Sequence, residues 1–360
     1  MDILSQIKPN PLTVENKWCF NLFDTFHLQA IPFDNEKGYT FISHPCFCYS
    51  SLLKDIHTKH MAVGTPMEVF KSDKIRSFYQ KIVEQRDFSY CKGCPKYESR
   101  QNEGFATAYQ LCVYFGLDFA HDLDYQFRKR QLAEQPLTYK VALNLDSACN
   151  LHCQTCRDEL ITKTFNMTDE DIAECIEIAK KSPYLILGAD GELFISPNYK
   201  RILQSDLSES EIHNIELYSN GTIFTEKRWK DYVNPKNERL IKKIKISLDA
   251  ACEETYQKVR GNHWKSLMEN LKFIVELKKR LGFQLHTTFT ISKLNVSDVK
   301  NFTDFAYSLG FDAVQYSFAR EQFHPGKAPS SFIIPEDQTG DIKAYLKDLG
   351  RQDFNLILDF

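Results

Sequence analysis

The stretch Leu145-Asp-Ser-Ala-Cys149-Asn-Leu-His-Cys153-Gln-Thr-Cys156-Arg157 decides how the rest of the chain is read. The residues before it, Tyr139 to Leu145, alternate apolar and polar side chains, the pattern of a strand. The three cysteines then fall on the loop at the strand's C-terminal end, where open α/β sheets and barrels place their chemistry. Thiolates with three and two residues between them can converge on one [4Fe-4S] cube. Such clusters ordinarily take four cysteines, so three leave one iron open to a small molecule. A zinc site or a chance group of buried cysteines would fit the same spacing.

Composition limits the alternatives. A chain of 360 residues can hold one large core and a smaller domain. A hydrophobic content of 42% with 26% charged residues is that of a soluble globular protein. The net charge of −3 lacks the basic footprint of a nucleic-acid binder. Phe and Tyr, at 27 and 17, read as core and pocket lining, because basic residues are not interleaved with them. No apolar run is long enough to span a membrane, and Met1-Asp-Ile-Leu-Ser-Gln-Ile-Lys lacks the pattern of a signal peptide. Eleven cysteines without an export signal suggest metal ligation in a reducing cytoplasm rather than disulfides.

From Tyr139 onward, strand-like and helix-like segments alternate, which predicts a parallel α/β sheet. Strands are expected at Tyr139–Leu145, Tyr184–Leu187, His213–Tyr218, Lys243–Leu248, Gln284–Ile291 and Ala313–Phe318, with Phe354–Leu358 as an edge strand. Helices are expected from Thr168 to Lys181, from Trp264 to Arg280 with a stop at Gly282, and from Val296 to Leu309. Residues 1–125 show no such alternation and form a separate cysteine-rich domain, with residues 126–360 as the barrel and the boundary near Leu123–Pro136.

Further motifs sit at successive strand ends. After the second strand comes Leu187-Gly-Ala-Asp-Gly-Glu192-Leu, whose glycines allow a tight turn. After the third comes Tyr218-Ser219-Asn220-Gly-Thr, and Asn-Gly favours a turn with positive φ. The fourth runs Ile244-Lys-Ile-Ser247-Leu-Asp249-Ala-Ala-Cys252, followed by Arg260-Gly. The fifth carries Thr287-Thr-Phe-Thr-Ile-Ser-Lys-Leu-Asn. These motifs and the CxxxCxxC loop, in this order from about Val141 to Phe318, resemble the radical S-adenosylmethionine (SAM) superfamily.

The resemblance implies a partial (β/α)6 barrel that cleaves SAM reductively at a [4Fe-4S] cluster to a 5′-deoxyadenosyl radical. Cys149, Cys153 and Cys156 would hold the cluster. Glu192 would contact the SAM amino group and Arg260 its carboxylate, which suits the forked guanidinium. Ser219 and Asn220 would form the turn beside SAM, and Ser247 and Asp249 would face its ribose or the substrate. Asp190 stands in place of the usual first glycine of the Gly-Gly-Glu motif, and Leu193 where proline is common. An electron donor such as flavodoxin or ferredoxin is implied as a partner.

In the N-terminal domain, Cys19, Cys46, Cys91 and Cys94, with Cys48 as substitute for Cys46, resemble the twitch or SPASM arrangement that holds a second [4Fe-4S] cluster. Here it precedes the barrel, whereas in most relatives it follows. A zinc site on the same residues is the alternative, and Cys112 in its apolar run reads as core. Cys252, just after the fourth strand, could donate a hydrogen atom. By strand-end position Asp190, Asp249, His286, Tyr316, Arg320 and His324 would face the pocket mouth. The leading expectation is oxidation or epimerisation of a carbohydrate-type substrate. Modification or cross-linking of a peptide is the alternative, and a non-catalytic metal-binding scaffold is a third reading.

Overall fold

The structure, a computed structural model, describes residues 25–43, 61–75, 77, 140–157, 159–319, 330–349 and 355–359. The chain divides into two units, Met1–Ala142 and Leu143–Phe360. The expected boundary near Leu123–Pro136 lies outside the described residues. So do Cys19, Cys46, Cys48, Cys91, Cys94, Cys112, Arg320 and His324.

In the first unit, β1 (Thr25–Pro32), β2 (Tyr39–Ser43) and β3 (Ala62–Gly64) form an antiparallel meander, in register at Gln29–Ile42 and Phe41–Gly64. α1 (Pro66–Phe70) follows at once. Pro66 opens it, and Thr65 and Glu68 close a capping box: Glu68 N donates to Thr65 Oγ1 at 3.3 Å and Thr65 N to Glu68 Oε2 at 2.9 Å. The sequence reading had no strands here.

The second unit is a parallel sheet with helices between its strands. In chain order these are β4 (Lys140–Asn144), whose last two residues open this unit, α2 (Asp169–Lys180), β5 (Tyr184–Leu187), α3 (Pro197–Gln204), β6 (Asn214–Ser219), α4 (Glu226–Tyr232) and β7 (Ile241–Ser247). Then come α5 (Glu253–Arg260), α6 (Trp264–Leu281), β8 (Gln284–Ile291), α7 (Val299–Ser308), β9 (Ala313–Phe318), α8 (Gly340–Asp348) and β10 (Asn355–Asp359). Strands β4 to β10 lie side by side in sequence order, and each pair from β5 to β10 is parallel. This is the partial barrel of the radical SAM type that the motifs implied, with β10 as the expected edge strand. Thr168 caps α2 through Asp171 N, and three acids in the first turn suit its dipole.

Alternation along each strand separates two faces. Leu185, Leu187, Ile215, Leu217, Ile244, Ile246, Leu285, Phe289 and Val314 are fully buried and form the apolar face under the helices. Each such side chain contributes roughly 1.5–3 kcal/mol. Tyr316 belongs to this face as well: its hydroxyl bonds Thr303 of α7 at 2.8 Å and its ring packs on Phe289 and Phe302. The strand-end reading placed Tyr316 at the pocket mouth. Register with Phe289 turns it toward the helices instead.

The opposite, inner face is polar. Glu216 is buried with Lys245 Nζ at 2.9 Å and Lys243 Nζ at 3.6 Å, and it accepts the Tyr184 hydroxyl. Lys245 also donates to the Tyr218 hydroxyl at 2.8 Å. Burial works to raise the Glu216 pKa, but the two lysines and the Tyr184 hydroxyl outweigh it and hold the carboxyl well below the ordinary range. Higher on the same face, Ser247, Thr288, Thr290 and Ser317 are half-buried.

His286 lies low on this face, third in β8 rather than at the mouth, and is 6% exposed. Burial, aided by Lys243 and Lys245 and opposed by Glu216, lowers its pKa to about 3. A histidine depressed below its unfolded value contributes stability that is complete above about pH 6.5 and is lost as pH falls toward 3. The loss is on the order of 5 kcal/mol. Melting His286→Asn against the parent across this window should show the parent losing more stability on acidification. Parallel curves would remove His286 as the cause.

Candidate active site

The cysteine loop leaves β4 and is held from several sides. Cys149 N donates to Ile161 O at 2.7 Å, Cys156 N to Cys153 O at 3.1 Å, and Gln154 N to Val259 O on α5 at 2.8 Å. Beneath it, Asp146 is 2% exposed and accepts Phe165 N at 2.8 Å, Asn198 Nδ2 at 2.9 Å and the Ser196 hydroxyl. Burial raises the Asp146 carboxyl above its ordinary pKa against these bonds. Arg157 pairs with Asp190 and bonds Ser147 O, and Ser147 Oγ donates to Asp190 Oδ2 at 2.9 Å. Asp190 is therefore engaged in fastening the loop's two ends. None of Asp146, Ser196, Asn198 or Arg157 was picked out from sequence, although Arg157 follows Cys156 directly and Asp146 lies three residues before Cys149.

The glycine turn docks on the same loop. Glu192 N donates to Ala148 O at 2.8 Å. Gly191 has φ +97°, and a Cβ there would meet Asp146 O and Ala148 O at 2.7 Å. Both contacts are rigid backbone, so Gly191→Ala should cost roughly 2–3 kcal/mol and displace the cysteine loop. Iron bound after reconstitution, read with the melting temperature, checks this. Full iron content at unchanged stability would show the turn to be free of the loop.

Glu192 points inward rather than outward. It is fully buried and accepts Ser219 Oγ at 2.8 Å, Asn220 N at 2.7 Å and Phe194 N at 3.2 Å. Burial raises its pKa despite these donors. Its carboxyl thus braces the turn at the end of β6. That turn then reaches the cysteines: Asn220 Nδ2 bonds Asn150 Oδ1 at 2.9 Å and Cys149 Sγ at 3.6 Å, while its Oδ1 accepts Thr222 N at 2.9 Å.

At the end of β7, Asp249 takes φ +58°, a left-handed conformation that Asp tolerates better than most residues. Its carbonyl accepts Asn295 Nδ2 at 2.9 Å and its Oδ1 accepts Thr290 N at 2.6 Å. Its Oδ2 accepts Arg260 Nε at 2.9 Å and a second guanidinium N–H. Arg260 Nη1 also lies 3.7 Å from Cys153 Sγ. Three of the five guanidinium N–H groups are so used, which leaves two. Cys252 stands at the N-cap position of α5 without a side-chain cap bond, its thiol 3.3 Å from Thr255 Oγ1 and 3.8 Å from Asp298 Oδ2. Ser247, last in β7, is half-buried on the inner face.

Residues 143–306 match the model of the Radical SAM superfamily. The chain carries a radical SAM domain. No curated protein matches it. Among solved structures, SuiB of Streptococcus suis bound to its precursor peptide SuiA is similar at 12% identity and a TM-score of 0.49, over 79% of this chain and 62% of that one. SuiB bound to S-adenosylmethionine gives 12% and 0.47, over 92% and 71%. The anSMEcpe structure with AdoMet and the Kp18Cys peptide gives 15% and 0.44, over 58% of each chain.

A radical SAM domain takes a [4Fe-4S] cluster and SAM, and the residues here fit them. The three thiols sit on one loop, near enough for their charges to act on one another. Among the described residues, no three His, Cys, Asp or Glu side chains close around a single metal ion. Asn220, Arg260 and Leu151 N, at 3.4 Å from Cys149, all direct donors at sulfur. Burial pushes the Cys153 thiol up to about 12 and raises Cys149 and Cys156, although Cys156 as a residue stands at an exposed rim. Without a bound metal the thiols are therefore neutral.

Proposed function

We propose that the protein is an enzyme that cleaves SAM reductively and abstracts hydrogen from a C–H bond of a polar substrate above the inner face of the barrel. The convergence of Cys149, Cys153 and Cys156 with the Asn220 turn and Arg260 carries this reading. When bound, the reduced cluster supplies the electron that converts SAM to a 5′-deoxyadenosyl radical. Arg260, held in place by Asp249, offers its two remaining N–H groups to the SAM carboxylate. Ser219, Asn220 and the Glu192 brace shape the wall beside the SAM amino group, and Ser247 and Asp249 border its ribose.

The finer proposal is oxidation or epimerisation of a carbohydrate-type substrate, supported by the hydroxyl-rich upper inner face around Ser247, Thr288 and Thr290. Mass spectrometry after a chromatographic separation that resolves epimers, applied to candidate sugars and peptides incubated with reduced protein and SAM, tests it. A sugar shifted in mass or configuration is expected, and a modified peptide with unchanged sugars would assign the substrate to the other class. For epimerisation, Cys252 would return the hydrogen atom to the substrate radical, and the electron donor would then reduce its thiyl. In heavy water the recovered product would carry deuterium, and Cys252→Ala would lose it. A flavodoxin or ferredoxin in the cytoplasm would deliver the electrons. Cys19, Cys46 or Cys48, Cys91 and Cys94 would hold a second cluster in the first unit. Among the described residues no helix is long and apolar enough to cross a membrane.

A further inference from the structure

Tyr256 stands four residues before Arg260 on α5, so both occupy one face of the helix. That face meets the cysteine loop, through the Gln154–Val259 backbone bond and the approach of Arg260 to Cys153. Tyr256 is fully buried, with its ring against Trp264 at a centroid separation of 5.5 Å. Its hydroxyl has no hydrogen-bond partner among the described residues. A buried, unpaired hydroxyl is destabilising, and Phe would fill nearly the same volume without that cost. One turn further along the same face, Arg260 Nη1 reaches Cys153 Sγ at 3.7 Å, so the face of α5 that carries Tyr256 is the one turned to the cysteine loop, and Cys153 and Cys149 are among the charges that act on the hydroxyl. The unpaired donor thus lies on the helix face turned to the cysteine loop, where an iron–sulfur cluster would present acceptors.

We infer that Tyr256 donates its hydroxyl hydrogen bond to a sulfur of the [4Fe-4S] cluster and tunes the cluster's reduction. The inference rests on the radical SAM reading above. Hydrogen bonds to the sulfurs are among the factors that set such potentials. A donor stabilises the additional negative charge of the reduced form, so Tyr256 raises the potential and eases reduction. Arg260 and Asn220 act on the same sulfurs but are bound elsewhere too. Tyr256 has no such second partner among the described residues.

The test is Tyr256→Phe in the reconstituted holoprotein, with the midpoint potential taken from a redox titration followed by electron paramagnetic resonance. The expected result is a more negative midpoint with full iron content. A second measurement separates a structural role. Without the cluster the variant should melt at or above the parent temperature, because it loses an unpaired buried hydroxyl. An unchanged midpoint would overturn the inference, as would a lower melting temperature of the cluster-free variant, which would place the hydrogen bond within the protein. If the parent cleaves SAM while the variant's midpoint does not move, only this inference falls. If the reconstituted parent holds no cluster, the functional reading falls with it.

Discussion

Asp249→Ala is expected to lower the stability of the second unit by about 4 kcal/mol, because Arg260 is left with its charge buried and unpaired. The Arg260 side chain is 11% exposed, and Asp249 supplies its only carboxylate among the described ion pairs. Breaking one side of a buried pair typically costs about 3–5 kcal/mol. Two further losses act in the same direction. Thr290 N and one end of the Asn295 bridge depend on the conformation of Asp249. Alanine at φ +58° is also less favourable than aspartate. For a unit of this size the melting temperature should fall by about 10 °C. Asp249→Asn keeps the shape and the Thr290 contact and should lose less. Equal melting of parent and Ala variant would show that Arg260 finds another partner.

Replacing Cys149, Cys153 and Cys156 together by Ala is expected to remove about four irons per chain, the content of one cube. The fold should survive, since burial already holds the thiols neutral without metal and each substitution deletes only a small, largely apolar group. SAM cleavage should disappear. Any iron that remains, with its visible absorbance, would belong to the cysteines of the first unit. Complete loss of iron would count against a second cluster there. Iron content equal to the parent would show that the loop binds none.

The strands of the second unit were legible because β8 and β9 carry period-two runs and β5 a short apolar run closed by a glycine turn, and all three begin and end where those runs do. The short helices α3, α4 and α5 were not, since seven or eight residues give too few turns for a clear amphipathic pattern. In the site, motif order led to the cysteines, Glu192, Asp249 and Arg260. It did not reveal that Asp249 and Arg260 pair, or that Glu192 turns inward to Ser219 and Asn220. Those contacts join strand ends far apart in the chain. Tyr316 illustrates the same limit: its position near a strand end was clear, but only the register with Phe289 shows which face it takes. Tyr256 had no local signal, because an unpaired hydroxyl becomes visible only when its whole surroundings are known.

The most direct measurement is 5′-deoxyadenosine formation by the anaerobically reconstituted parent protein, given SAM and a strong reductant. The account predicts its release, dependent on reductant and absent in the triple cysteine variant. A protein with a full complement of iron that leaves SAM intact would contradict it and favour a metal-binding scaffold without this chemistry.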